Sequence, residues 1–272
     1  MISTTTPWIE ESLEAAGVKM QLVKGGSGEP LLILHDELGH PGWLNYHSTL
    51  AEQYTLYLPS HPGFGNSVRP DWILSMRDLA IWYLDAFDDL GLQRVPVIGL
   101  GLGAWLAAEI ASMCPHQVSR LVLVSAPGIK PPHGEIFDMF LVVVREYLAA
   151  SFLDPANTPE YQRLYSAPPT PEQAEAWEMA REQASLLTWR PYMHDLSLPY
   201  RLRRLRHVPT LIVWGQQDAI VPVSAAEAYQ AAIPGSQLAV FDHCGHHPEM
   251  EQTEAFVQAV QAFLGPRQHS QC

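Results

Sequence analysis

The stretch Val95-Pro96-Val97-Ile98-Gly99-Leu100-Gly101-Leu102-Gly103-Ala104-Trp105-Leu106-Ala107-Ala108-Glu109-Ile110 decides how this chain is read. Its first residues form a short apolar, β-branched run, the pattern of a strand buried in a sheet. Beyond the glycines the period changes, because Leu102, Leu106, Ile110 and Met113 fall on one face of a helix. Three closely spaced glycines, Gly99, Gly101 and Gly103, join the two. Glycine tolerates backbone conformations and close approaches that a Cβ forbids, so the stretch reads as strand, sharp turn, helix.

Outward from that turn, 272 residues with a 47% hydrophobic fraction suit one sizeable α/β domain carrying an insertion. A formal net charge of −13 argues against nucleic acid or an anionic membrane as partner, since phosphate binding relies on clustered Lys and Arg. The one basic cluster, Arg201, Arg203, Arg204 and Arg206, is interleaved with Leu202 and Leu205 and reads as the solvated face of a short helix. Cys114, Cys244 and Cys272 are odd in number and far apart, which describes a reducing cytoplasm rather than a disulfide framework. Met1 to Glu11 lacks a leader pattern and no apolar run approaches bilayer length, so a cytoplasmic protein is expected.

Val18 to Lys24 alternates and ends in Gly25-Gly26-Ser27-Gly28, a strand and turn near the sheet edge. Leu31 to Leu34 is a buried strand delivering His35-Asp36-Glu37-Leu38-Gly39 to its carboxyl end, where open α/β sheets bind ligands. Tyr54 to Leu58 is the next strand. Ser75 caps a helix with Leu79, Trp82, Tyr83, Ala86 and Leu90 inward and Gly91 as its stop. After the central strand and helix, Leu121 to Val124 gives another parallel strand. The alternation then halts over 129–206, where proline-broken helices suggest a lid. Thr170-Pro171-Glu172-Gln173 starts one of them, and Trp177, Ala180, Ala184 and Leu187 follow its face. Strands at Thr210 to Trp214 and Gln237 to Phe241, a helix near Ala225 to Ala232 and a last helix with Phe256, Val260 and Phe263 inward complete a core of 1–128 and 207–272.

Gly99 and Gly103 match the outer glycines of G-x-S-x-G, the nucleophile elbow of α/β-hydrolases. Trp214-Gly215-Gln216-Gln217-Asp218 is similar to the segment that carries the acid of that family's triad, and Cys244-Gly245-His246-His247-Pro248 to the segment that carries its histidine. Elbow, acid and histidine come in family order, and the resemblance covers almost the whole chain. It reaches the capped branch, which includes meta-cleavage-product hydrolases, esterases, haloalkane dehalogenases and epoxide hydrolases. The resemblance implies an α/β-hydrolase fold, a mostly parallel sheet flanked by helices, with a helical cap over 129–206. It also implies backbone oxyanion-hole donors at Glu37 and Leu102.

Two departures shape the expected chemistry. Gly101 stands where the elbow carries its serine, and Asp36 replaces the glycine of the family's His-Gly, where its carboxylate would oppose a forming oxyanion. Asp36 has a second reading, a side chain bonded to its own loop. His246, with Asp218 fixing its tautomer, remains able to act as general base, and Asp36 could help hold a water at the vacant position. The expectation is a hydrolase-like enzyme acting on a small, largely apolar molecule by non-covalent catalysis (ester, lactone or C–C cleavage, or a lyase reaction). The rivals are a ligand-binding pseudoenzyme and an engineered serine-to-glycine variant. His35, Trp189, Tyr192 and His194 are candidate substrate contacts, Ser125 and Cys244 read as loop and packing residues, and no metal or cofactor is expected.

Overall fold

The computed structural model describes residues 8–265, so Cys272 and residues 1–7 of the Met1 to Glu11 stretch lie outside the described residues. Strands β1 (Trp8–Ala15), β2 (Val18–Gly26), β3 (Glu29–Leu34), β4 (Tyr54–Pro59), β5 (Val95–Leu100), β6 (Val118–Val124), β7 (Thr210–Gly215) and β8 (Gln237–Phe241) form one sheet, ordered β1-β2-β4-β3-β5-β6-β7-β8. β2 runs antiparallel to β1 and β4, and all later pairs are parallel. The carboxyl ends of β3, β5, β6, β7 and β8 therefore point the same way, which gathers the loops after them at one edge.

Helices α1 (Asn45–Leu50), α2 (Met76–Asp89), α3 (Leu102–Met113), α4 (Val144–Ser151), α5 (Pro159–Tyr165), α6 (Pro171–Thr188), α7 (Leu198–Leu202), α8 (Ser224–Ala232), α9 (Pro248–Glu251) and α10 (Thr253–Leu264) complete the described chain. Strand side chains alternate between two apolar layers. Leu32, Leu34, Val97, Leu123 and Ile212 pack with Leu79, Tyr83, Leu106 and Tyr229 of α2, α3 and α8. On the other face, Leu31, Ile33, Ile98, Val122 and Val213 pack with Leu50, Phe256, Val257 and Val260 of α1 and α10. At roughly 1.5–3 kcal/mol for each fully buried large apolar side chain, these layers hold the sheet edge rigid beneath the loops.

The central stretch folds as its pattern requires: β5 turns through Gly101 into α3. A Cβ on Gly103 would stand 2.3 Å from the Leu34 carbonyl oxygen and 2.4 Å from that of His35, so only glycine lets α3 press this closely on β3. Ser75 caps α2 by accepting from the Asp78 N–H at 3.2 Å, and Thr170 caps α6 by accepting from the Gln173 N–H at 3.2 Å. Helices α4 to α7 occupy the chain between β6 and β7, as the interrupted alternation suggests.

Three local expectations need correction. β1 forms a hairpin with β2 although its residues, Trp-Ile-Glu-Glu-Ser-Leu-Glu-Ala, are mostly exposed and carry no alternation. The inward face of α10 is Phe256, Val257, Val260 and Leu264, while Phe263 sits at the rim under the Arg120 guanidinium. Arg201 is not solvated like its neighbours: it pairs with the buried Glu109 of α3 and with Asp195, which ties α7 to the core. Among the described residues no helix is long and apolar enough to cross a membrane.

Candidate functional site

Asp218 follows β7 and His246 follows β8, so the sheet brings two residues far apart in sequence to one edge. His246 Nδ1 lies 2.8 Å from Asp218 Oδ2, and both side chains are buried. The other Asp218 oxygen accepts from the Ile220 and Val221 N–H groups at 2.8 and 2.9 Å, which fixes the carboxylate. A carboxylate at Nδ1 favours the tautomer with its proton there and leaves Nε2 facing the pocket. Burial works against a charged imidazole at His246. The Asp218 charge and hydrogen bond, helped by Glu37, outweigh it and raise its pKa above the ordinary histidine value.

Nε2 of His246 faces the side chain of Glu37, 3.8 Å from Oε1. Glu37 is 2% exposed. Its Oε2 accepts from the Leu102 N–H at 3.3 Å, the first amide of α3, and its Oε1 accepts from the Tyr147 hydroxyl of α4. Burial, then the Glu37 charge, push the Tyr147 phenol well above its usual value, so it remains a donor. Gly101 has φ 47° and ψ −120°, a conformation that costs an L-residue of order 1–3 kcal/mol. A Cβ built there would lie 2.6 Å from Glu37 Oε2 and 3.1 Å from Asp36 Cβ. The Glu37 carboxylate thus stands in the space a side chain at residue 101 would take.

A small cavity of about 10 Å³, room for about one water, lies against Glu37, Tyr147 and His246. Its other walls are apolar and include Ile136, Phe137, Met139, Met193, Ile220 and Val221. A cleft of about 200 Å³ opens between the loop after β3 and helices α4 to α6, lined among others by Asp36, His40, Tyr165, Trp177 and His247. A larger hollow, about 950 Å³, opens among the described residues at the opposite end of the strands around Arg94, Pro96 and His207, away from the His246–Asp218 pair. Size is therefore a poor guide to the chemistry in this molecule.

Of the residues singled out in sequence, His246, Asp218, Gly101, Leu102 and Glu37 meet at one point, but Glu37 does so through its side chain. The other expected backbone donor, the Leu102 N–H, is taken by the Glu37 carboxylate. Asp36 is half-buried with Oδ1 accepting from the Leu38 N–H at 2.9 Å, and it lines the cleft rather than the His246 cavity. Burial and then the Glu37 charge raise the Asp36 pKa to about 7. His35 has both ring nitrogens engaged by backbone, Nδ1 with the Asp36 carbonyl and Nε2 accepting from the His61 N–H. It holds the loop and has no free polar atom to offer a ligand.

Tyr192 bonds to the Phe137 carbonyl, His194 to the Tyr192 carbonyl, and Trp189 is 54% exposed beside Phe140. None of these three lines either space. Ser125 is buried at the end of β6 with an unpartnered hydroxyl, and Cys244 is fully buried. His247 is buried, stacked on Phe152 and 3.0 Å from Glu249. Burial opposes its charge, but Glu249 and the neighbouring carboxylates raise its pKa to about 9. Sequence reasoning missed the Glu37 side chain and Tyr147. The pairing of a glutamate in the β3 loop with a glycine at the turn was the only signal for the first, and Tyr147 carried none.

A family model for the alpha/beta hydrolase fold matches residues 29–253, and the chain belongs to that family. An uncharacterised protein of Mycobacterium tuberculosis is 28% identical over 88% of this chain and 76% of its own length. A 2-hydroxy-6-oxo-2,4-heptadienoate hydrolase of Pseudomonas putida is 26% identical, covering 92% of this chain and 94% of the relative. Among solved structures, a membrane phospholipase A described as a bacterial virulence factor superposes with a TM-score of 0.79 at 24% identity, over 94% of this chain and 86% of that one. At that identity the likeness shows the fold alone.

Proposed function

We propose that this protein is a hydrolase-like enzyme for a small, largely apolar organic molecule, working by non-covalent acid–base catalysis through the His246–Asp218 pair. In this reading Gly101 stands where a serine nucleophile would stand, and α4 to α7 act as a cap over the site. The single observation that carries it is the buried His246 Nδ1–Asp218 Oδ2 contact of 2.8 Å, aimed into an apolar cavity beside a turn with no side chain. A histidine so held can exchange a proton with water or substrate, and closure over it keeps bulk water from competing. The relative that acts on a heptadienoate supports a small organic substrate. Ester, lactone or C–C bond cleavage, or a lyase reaction, would suit such a pair. A cytoplasmic location is part of the same proposal, and the odd, widely spaced cysteines support it.

The test is turnover of p-nitrophenyl esters, lactones and a 2-hydroxy-6-oxo-2,4-dienoate by the wild type and by His246→Ala. A working His246 predicts a fall of at least about 10²-fold. Equal rates in the two proteins would remove His246 from the mechanism. Ligand binding without turnover on any of these compounds would favour a non-catalytic binding protein.

A further inference from the structure

The geometry points to Glu37 as a further catalytic residue: its carboxylate takes a proton from the bound molecule, and His246 is the acid that returns one. This deepens the non-covalent reading above and rests on it. The first argument is position. With a residue-101 Cβ reaching to 2.6 Å of Oε2, the carboxylate occupies the volume of a side chain on the turn, and its Oε1 faces Nε2 of His246 at 3.8 Å. That distance is too long for a direct hydrogen bond and close enough for both atoms to touch one reacting group.

The second argument is cost. Carboxylates are expensive to bury, and one that serves only to hold structure normally finds a cationic partner of its own. Among the described residues its hydrogen-bond donors are neutral, the Leu102 N–H and the Tyr147 O–H, and the cation it can face is the His246 imidazolium, 3.8 Å away across a cavity with otherwise apolar walls. The two donors fix its direction and turn Oε1 toward a cavity that holds about one water, so a larger molecule reaches it only by displacing the apolar wall or α4.

The third argument concerns what the site cannot do. Because Glu37 already accepts from the Leu102 N–H, a substrate carbonyl would meet a filled donor and a negative charge there. Chemistry that builds an oxyanion at this amide is disfavoured, and so are anionic groups placed beside Glu37. Proton abstraction from a neutral carbon acid, a C–H next to a ketone, fits instead. The C–H bond breaks, its electron pair moves into the enolate, and the proton joins Glu37 Oε1. His246 in its imidazolium form, which the Asp218 and Glu37 carboxylates favour, gives its Nε2 proton to carbon or to a departing oxygen, and transfer from Glu37 to His246 restores the imidazolium and the carboxylate. No oxidant or reductant is consumed.

The experiment uses cyclohexanone as probe: the full-length protein is incubated with it in D2O and loss of the α-proton signal is followed by NMR. The wild type should exchange above the buffer rate, and Glu37→Gln, which keeps size and loses the base, should lose at least about 10²-fold. Glu37→Asp keeps a carboxylate on a shorter arm and should fall between the two, which also serves if the Gln variant folds poorly. The His246 ring signals give a reading independent of activity: without the Glu37 charge, its titration midpoint should drop in Glu37→Gln. Exchange by Glu37→Gln within twofold of wild type, with His246→Ala inactive, overturns the role of Glu37 and leaves the wider reading standing. Exchange at the buffer rate in the wild type overturns the proposal. If the wild type also fails to turn over the esters, lactones and dienoate, the wider reading falls with it.

Discussion

Placing a serine at the turn tests the site most directly. Gly101→Ser puts a Cβ at φ 47°, which costs of order 1–3 kcal/mol in strain. It also places that atom 2.6 Å from Glu37 Oε2 and 3.1 Å from Asp36 Cβ, so Glu37 must leave. Leaving breaks its bond to the Leu102 N–H, and a hydrogen bond to a charged group contributes about 1.5–3 kcal/mol. Together the two effects predict destabilisation of roughly 2.5–6 kcal/mol, or a melting temperature lower by about 5–24 °C at 2–4 °C per kcal/mol. Sequence alone marked Asp36 as the obstacle to a serine here, whereas the geometry marks Glu37. The single variant should therefore melt early and show no burst with a p-nitrophenyl ester. Gly101→Ser combined with Glu37→Ala should regain part of the lost stability, free the Leu102 N–H and form an acyl-enzyme, seen as a burst or an added mass. A single variant as stable as wild type, or a double variant no more stable than the single, would refute the claim that the two side chains compete for one space.

Two further predictions come from the same edge of the sheet. His247 has a folded pKa of about 9 against an ordinary value of 6.5, so its charged contacts stabilise fully below pH 6.5 and are lost as pH rises through 9; the melting-temperature gap between wild type and His247→Gln should narrow steadily from pH 6 to pH 10, and a gap that widens would contradict the sign. Tyr147→Phe removes one donor to Glu37 and should cost about 1.5–3 kcal/mol, measured by urea unfolding, with no change expected only if the hydroxyl bond does not form in solution.

The fold was legible where a local pattern leaves one solution. The glycine spacing at Gly99, Gly101 and Gly103 dictated strand, turn and helix because no other residue permits that contact with β3. Asp218 and His246 were legible through the likeness of their segments to the family's acid and histidine segments, just past β7 and β8. β1 was not, since its four-residue core of Ile9-Glu10-Glu11-Ser12 is exposed on both faces and is held by pairing with β2 rather than by burial. Glu37 was half legible. Its place in the loop followed from β3, but the direction of its side chain depends on the missing Cβ of Gly101 and on Tyr147, 110 positions away in sequence. Arg201 illustrates the same limit: nothing near it in sequence announces Glu109 as its partner.

The end of α4 carries two different attachments to the site. Tyr147 bonds to Glu37, and one turn later the Ser151 carbonyl accepts from the His246 N–H at 2.8 Å. One short helix thus bonds to both residues to which the proposal gives the proton transfers. Any molecule that enters by lifting this helix loosens Glu37 and His246 together, and they regain their alignment only when it settles back. On the proposed mechanism, admission and alignment would then be one motion. The amide of His246 would report that motion, because its exchange with solvent deuterium requires the helix to rise.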